Sequence, residues 1–220
     1  MARLVVDITT SVDGFVAGPN MSRGKGLGEG GDRLHEWAVA TQSFQEAHGA
    51  EAEGGTGADS EIVEEVLRRP GAIVMGRNMF GGGQGSWGED EAWGDEPWEG
   101  WWGDEPPFRM PVFVLTHHPR QPLVKGETTF TFVTDGIESA LEQAREAAGG
   151  KDVAIGGGAK VVQQYLKAGL VDEMQIHVAP VLLGEGVRLF EDLGSGQVEL
   201  EITRVVDSPA VTHIKYRVLK

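Results

Sequence analysis

The chain has 220 residues and a net charge of −15, from 19 basic and 34 acidic side chains, and it contains no cysteine. The acidic balance opposes nucleic-acid and anionic membrane partners. The missing thiols exclude disulfides, thiolate zinc sites and a cysteine nucleophile. The charge at Asp7 comes too early for a signal-peptide apolar region, and no apolar run approaches the ~20 residues of a membrane span, so the expectation is one cytoplasmic domain.

In chain order, Leu4 to Thr9 reads as a strand ending in the turn-like Ser11-Val12-Asp13-Gly14. Glycine fills five of the eight positions 24–31, a loop expected to be mobile until ligand restricts it. Leu34, Trp37, Ala38 and Phe44 give a helical stripe over 34–47, and 49–58 is a connector. Asp59 or Ser60 is expected to cap a helix over 61–69, which Pro70-Gly71 ends. Residues 72–75 read as a buried strand running into Gly76-Arg77-Asn78. The stretch 81–107 is compositionally separate: 85–107 holds five of the six tryptophans and eight acidic residues without a basic one. Such a cluster is either a wall that stacks a planar heterocycle or a patch packed on its own domain or on a second subunit. Strands follow at 112–116 and 129–133, and Asp135 with Glu138 has capping-box spacing before a helix over 137–148. A strand at 153–155 leads through Gly156-Gly157-Gly158 into a helix over 159–168, then a strand over 174–181. Residues 198–206 and 210–218 alternate across Asp207-Ser208-Pro209 as an antiparallel terminal hairpin. Strands alternating with helices make this an α/β chain.

Three strand ends carry candidate chemistry. The glycines 156–158 let backbone N–H groups approach a phosphate at a helix start, or else make a tight turn. Arg77 offers a planar fork of donors to phosphate oxygens, or else lies on the surface. Thr116-His117-His118 is either a ribose or phosphate contact or a polar turn; adjacent histidines on an extended backbone diverge and form no metal site.

Together these strand ends resemble the dihydrofolate reductase superfamily, and most closely the branch containing the reductase domain of the bacterial riboflavin-pathway deaminase-reductase. The residues that carry the likeness are Thr10 to Ala17 with its Asp13-Gly14 turn, Val74-Met75-Gly76-Arg77, and Pro111 to Pro119. To these are added Gly156-Gly157-Gly158, Ala168-Gly169-Leu170-Val171-Asp172-Glu173, Ala179 to Gly186 and Leu189-Phe190. The resemblance implies a single three-layer α/β/α domain with a central mixed sheet and a C-terminal hairpin. It implies an NADPH-dependent oxidoreductase acting on a small pyrimidine- or pterin-like heterocycle, of the 5-amino-6-(5-phosphoribosylamino)uracil reductase type, and a homodimer. The alternatives are a dihydrofolate or pteridine reductase and an NADP-binding protein without turnover.

Carried over residue by residue, the resemblance puts Arg77, on the strand-end Gly76, at the adenosine 2′-phosphate, with Thr116 and His117 beside the adenosine. Gly156, Gly157, Gly158 and the helix start at Ala159 would hold the pyrophosphate, with Asn78 opposite. Thr9, Thr10 and Val16 would flank the nicotinamide, and Asp13 would lie near the substrate, where it or a water supplies the proton. The chain departs from the branch in having Ile155 where a Glu usually precedes the paired glycines. It also lacks a counterpart of the branch's Asp-x-Pro-x-Leu substrate-phosphate segment and of the zinc-binding deaminase domain.

Overall fold

A computed structural model describes residues 2–83, 85–89, 93, 98–194 and 196–220. The strands are β1 Leu4–Ser11, β2 Phe15–Ala17, β3 Pro70–Gly76, β4 Pro111–Leu115, β5 Leu123–Lys125, β6 Thr128–Val133, β7 Asp152–Ile155, β8 Glu173–Ala179, β9 Val187–Arg188, β10 Leu200–Asp207 and β11 Thr212–Val218. The helices are α1 Glu36–Val39, α2 Gln42–Ala47, α3 Ala58–Arg68, α4 Arg77–Phe80, α5 Ile137–Ala147 and α6 Ala159–Lys167, with a 3-10 turn at Gly31–Leu34.

Nine strands form one sheet in the order β10-β11-β8-β1-β7-β3-β4-β6-β5. The strands from β8 to β6 run parallel, while the two edges are antiparallel: β11 against β8 and β10, and β5 against β6. The central strands are buried on both faces, which is why Val74 and Met75 sit in an uninterrupted apolar run. On one face Leu4, Val6, Val74 and Ile155 pack under Leu141 of α5 and Val162 and Tyr165 of α6. On the other, Met75, Val114 and Phe130 pack against Phe80 and the tryptophan segment. Further along that second face Trp37 and Ala38 meet Val63 and Val211. The chain is thus the three-layer α/β/α domain with a mixed sheet and C-terminal hairpin that the sequence implies. No helix among the described residues is long and apolar enough to cross a membrane.

Three local expectations change. The helical stripe over 34–47 is broken at Thr41, whose hydroxyl oxygen accepts the Phe44 N–H and starts α2 afresh. Asp59 and Ser60 do not cap α3, because Gly57 takes that position. Their side chains turn to tertiary partners instead, Asp59 to His213 and Ser208, and Ser60 to Ser43. Asp135 and Glu138 form no capping box, since Gly136 is the N-cap and the pair falls one residue out of phase.

The segment 24–31 is folded onto its neighbours: Gly18 N–H donates to the Leu27 carbonyl at 2.8 Å and Glu29 N–H to the Pro19 carbonyl at 2.8 Å. A side chain at Gly26 would begin 2.9 Å from the Trp101 ring, so glycine here permits close contact with the tryptophan segment. Part of the 81–107 stretch lies outside the described residues. The part described packs on its own domain. Trp98, Trp101 and Trp87 donate their indole N–H groups to the carbonyls of Phe80, Met79 and His118.

Candidate functional site

The glycine strand ends at 76 and 156–158 are stitched together at the carboxyl edge of the sheet. Gly76 N–H donates to the Gly157 carbonyl at 2.8 Å, and Gly156 N–H to the Val74 carbonyl at 2.9 Å. A side chain at Gly76 would begin 2.8 Å from a Val161 methyl, so glycine lets β3 lie against the start of α6. Gly157 has φ +101, in the region that favours glycine, and the Gly157–Gly158 peptide is cis. At Gly158 nothing lies within 4 Å of where a side chain would start, and no side chain caps the first turn of α6 at Ala159. Uncapped N–H groups, a favourable dipole and open space together suit a phosphate.

The ends of β3 and β4 meet over Trp87. The Arg77 guanidinium carbon lies 3.2 Å from the centroid of that indole and the Arg120 one 4.8 Å. Arg77 donates through Nε to the Gly81 carbonyl at 3.1 Å and through Nη2 to the Gly82 carbonyl at 2.8 Å. It therefore holds the glycine turn while bringing a cation to the corner. Thr116 is buried at the end of β4, its hydroxyl oxygen accepting the His118 N–H at 3.1 Å, which turns His117 outward to solvent. Asn78 is also exposed.

Thr9 and Thr10 are buried near the end of β1, and Val16 is half-buried on β2. Trp37 donates its indole N–H to the Thr9 hydroxyl oxygen at 3.3 Å. Asp13 accepts the backbone N–H groups of Leu183 at 3.1 Å and Gly184 at 2.7 Å. The Ser11 hydroxyl, joined by these two N–H groups, lowers its carboxyl to about 2. At neutral pH Asp13 has no proton to give, and its geometry ties it to the 182–184 loop.

Sequence reasoning missed a polar chain beneath Trp37. Asp7 accepts from His177 Nε2 at 3.1 Å, the Nδ1 atoms of His177 and His213 lie 2.6 Å apart, and His213 Nε2 meets Asp59 at 3.0 Å. The imidazoles of His177 and His213 are 1% and 2% exposed. His35 Nδ1 is buried beside them without a hydrogen-bond partner among the described residues. Burial, then the neighbouring His177, pushes His35 below the ordinary imidazole range. No local motif announces this chain, because its members come from β1, the start of α3, β8 and β11 and meet only through strand pairing.

Among the described residues no group of His, Asp and Glu is arranged to hold a metal. A 540 Å³ cavity opens at the opposite, amino-terminal edge of the sheet, among Arg3, Arg69, Lys215, Glu65, Asp152 and Glu173. Its basic groups are engaged in ion pairs, Arg69 with Asp152 at 2.7 Å and Lys215 with Glu65 at 2.8 Å. That network joins strand ends and lies away from the glycine cradle, so this cavity is not the candidate site.

The RibD C-terminal domain family model matches residues 2–214. YyaP of Bacillus subtilis (strain 168), an uncharacterized protein, is 23% identical over 196 residues, which are 87% of this chain and 81% of YyaP. Among solved structures, a proposed riboflavin biosynthesis protein from Shewanella sp. PV-4 superposes with a TM-score of 0.62 at 24% identity, covering 100% of both chains. The diaminohydroxyphosphoribosylaminopyrimidine deaminase/5-amino-6-(5-phosphoribosylamino)uracil reductase of Thermotoga maritima superposes with a TM-score of 0.57 at 15% identity, over 99% of this chain and 57% of that one.

Proposed function

The chain belongs to the RibD C-terminal domain family, a riboflavin-pathway reductase-like family, and from that membership we propose that it is an NADPH-dependent reductase of a small pyrimidine- or pterin-like heterocycle. The observation that carries this reading is the cradle at the sheet's carboxyl edge, where the Gly76–Gly157 stitch leaves Gly158 and the uncapped start of α6 facing open space.

A reduced nicotinamide, when bound, supplies the hydride. This chain's residues do the positioning. Gly156, Gly157, Gly158 and Ala159 would hold the pyrophosphate, with Asn78 opposite. Arg77, its guanidinium held over Trp87, would bring a cation to the 2′-phosphate beside Thr116 and His117. Thr9, Thr10 and Val16 would form the nicotinamide wall, and Trp37 holds the Thr9 hydroxyl through its indole N–H. Burial of Thr9 and Thr10 keeps water from the reacting face. Asp13 shapes the rim by anchoring Leu183 and Gly184. A homodimer is supported by β10, which ends the sheet with Leu200, Ile202 and Val205 exposed, an open edge that a second copy would cover.

The test is titration of the protein with NADPH and NADH, followed by tryptophan fluorescence, then turnover with pyrimidine and pterin substrates. Saturable NADPH binding with oxidation in the presence of an aminouracil is expected. Absence of binding to either cofactor refutes the reading. Light scattering is expected to give twice the 23.6 kDa chain mass.

A further inference from the structure

The reduction proposed above adds a hydride to carbon and needs one proton on the neighbouring heteroatom. Asp13, ionised at neutral pH, does not carry it. The chain beneath Trp37 holds a proton in the right neighbourhood, as a count shows. Its hydrogen bonds, Asp7 to His177, His177 to His213 and His213 to Asp59, require three shared protons. Two ionised carboxylates and two neutral imidazoles have only two N–H protons between them. The contact of Nδ1 with Nδ1 at 2.6 Å therefore needs an additional proton shared by the two rings. The carboxylates at both ends offset that charge.

Burial and the neighbouring ring act in the same direction. Burial pushes His213 below the ordinary imidazole range, and His177 pushes it further, against the opposing pull of Asp59 and Asp7. Charging His213 alone is thus disfavoured, and the 2.6 Å contact places the proton between the two rings. The charged or titratable groups facing it are Asp7 on β1, Asp59 on α3 and His35 before α1, the last held neutral by its own burial.

The ends of the chain differ from its middle. The side chains of Asp7 and Asp59 are 24% and 20% exposed, whereas the imidazoles are sealed beneath Trp37, whose ring centroid lies 4.7 Å from that of His177 and 5.0 Å from that of His213. His177 is the register partner of Thr9, one strand away, and Asp7 lies on the same face of β1 as Thr9. Trp37 touches both the Thr9 hydroxyl and the two imidazoles.

We propose that Asp7, His177, His213 and Asp59 form a proton reserve, one shared proton whose retention depends on the redox state of the bound nicotinamide. This rests on the reductase reading. These four residues are positioning and proton-holding groups; none is assigned contact with substrate.

The reserve couples cofactor redox state to protonation. An oxidised nicotinamide carries a positive ring charge beside Thr9, which disfavours the shared proton, while the reduced ring is neutral. Calorimetric titration in buffers of differing ionisation enthalpy is expected to show release of about one proton per chain on binding NADP+ and none on binding NADPH. The His213→Gln and Asp7→Asn variants should bind both forms and release no proton with either; using both keeps the test open if one misfolds. Equal proton release for the two cofactor forms in the wild type, or a difference that survives in the folded variants, overturns the reserve and leaves the reductase reading intact. If neither form binds, the reductase reading fails and the reserve fails with it.

Discussion

The two flanks of the glycine cradle are built on opposite plans. The corner at the ends of β3 and β4 is local: Arg77 reaches Gly81 and Gly82, Thr116 reaches His118, and Trp87 from the following segment lies against Arg77 and Arg120. The flank at β1 is assembled from residues 7, 9, 37, 59, 177 and 213, which only the pairing of β1, β8 and β11 and the docking of α1 and α3 bring together. A local corner can be edited one contact at a time. A non-local one rests on a few shared side chains, so disturbing one disturbs all.

Trp37→Ala is the sharpest way to break the second flank. The indole is 7% exposed and covers both imidazoles and Thr9, so its loss is expected to destabilise the fold by about 3–5 kcal/mol, read from urea unfolding. A loss below about 1 kcal/mol, typical of a surface site, would show that the flank is not held by this side chain.

Arg77→Ala tests the local flank. It removes at least three hydrogen bonds, to the carbonyls of Gly81, Gly82 and Gly85, and a cation–π contact, for an expected loss of about 1–2 kcal/mol. NADPH affinity should fall roughly tenfold or more, and NADH affinity less, because only NADPH carries the phosphate that needs the cation. Equal losses for the two cofactors would reduce Arg77 to an anchor of its own turn.

The flanks should also differ in their response to acid. His35 is held below the ordinary imidazole range by burial and then by the neighbouring His177, so at this group the unfolded chain binds a proton that the folded one refuses as pH drops past about 6.5. Stability should therefore fall from pH 7 to pH 5, with each refused proton contributing at most ~1.4 kcal/mol per pH unit. Melting temperatures measured across that range should drop, and His35→Gln should flatten the slope. A wild-type curve that is level or rises toward pH 5 would contradict this.

Asp13→Asn should have the smallest effect. It weakens two acceptor contacts at an exposed rim, so hydrogen exchange at Leu183 and Gly184 should quicken while the melting temperature stays nearly unchanged. In the wild type the same loosening is expected on acidification from about pH 4 to pH 2, since the lowered carboxyl loses its charge only there. An unchanged exchange rate in the variant would remove Asp13 from the rim.

The sequence by itself determined the elements that depend on short-range chemistry. The apolar runs of β3 and β4, the glycine stop at Gly169 after α6 and the turn at Asp207-Ser208-Pro209 were legible because period, turn residues and caps act within a few positions. The glycine cradle was legible for the same reason. Tertiary structure decided the rest. Asp59 and Ser60 look like caps in sequence, yet partners from β11 and α2 claim their side chains. Asp13 looked available until the 182–184 loop, some 170 residues away, took both its oxygens. His177 and His213, on strands that read as ordinary hydrophobic ones, become a paired centre only when antiparallel register sets them side by side. Local propensity acts over a few residues, whereas a side chain's partners across a sheet are chosen by register, and register is a property of the whole packed domain.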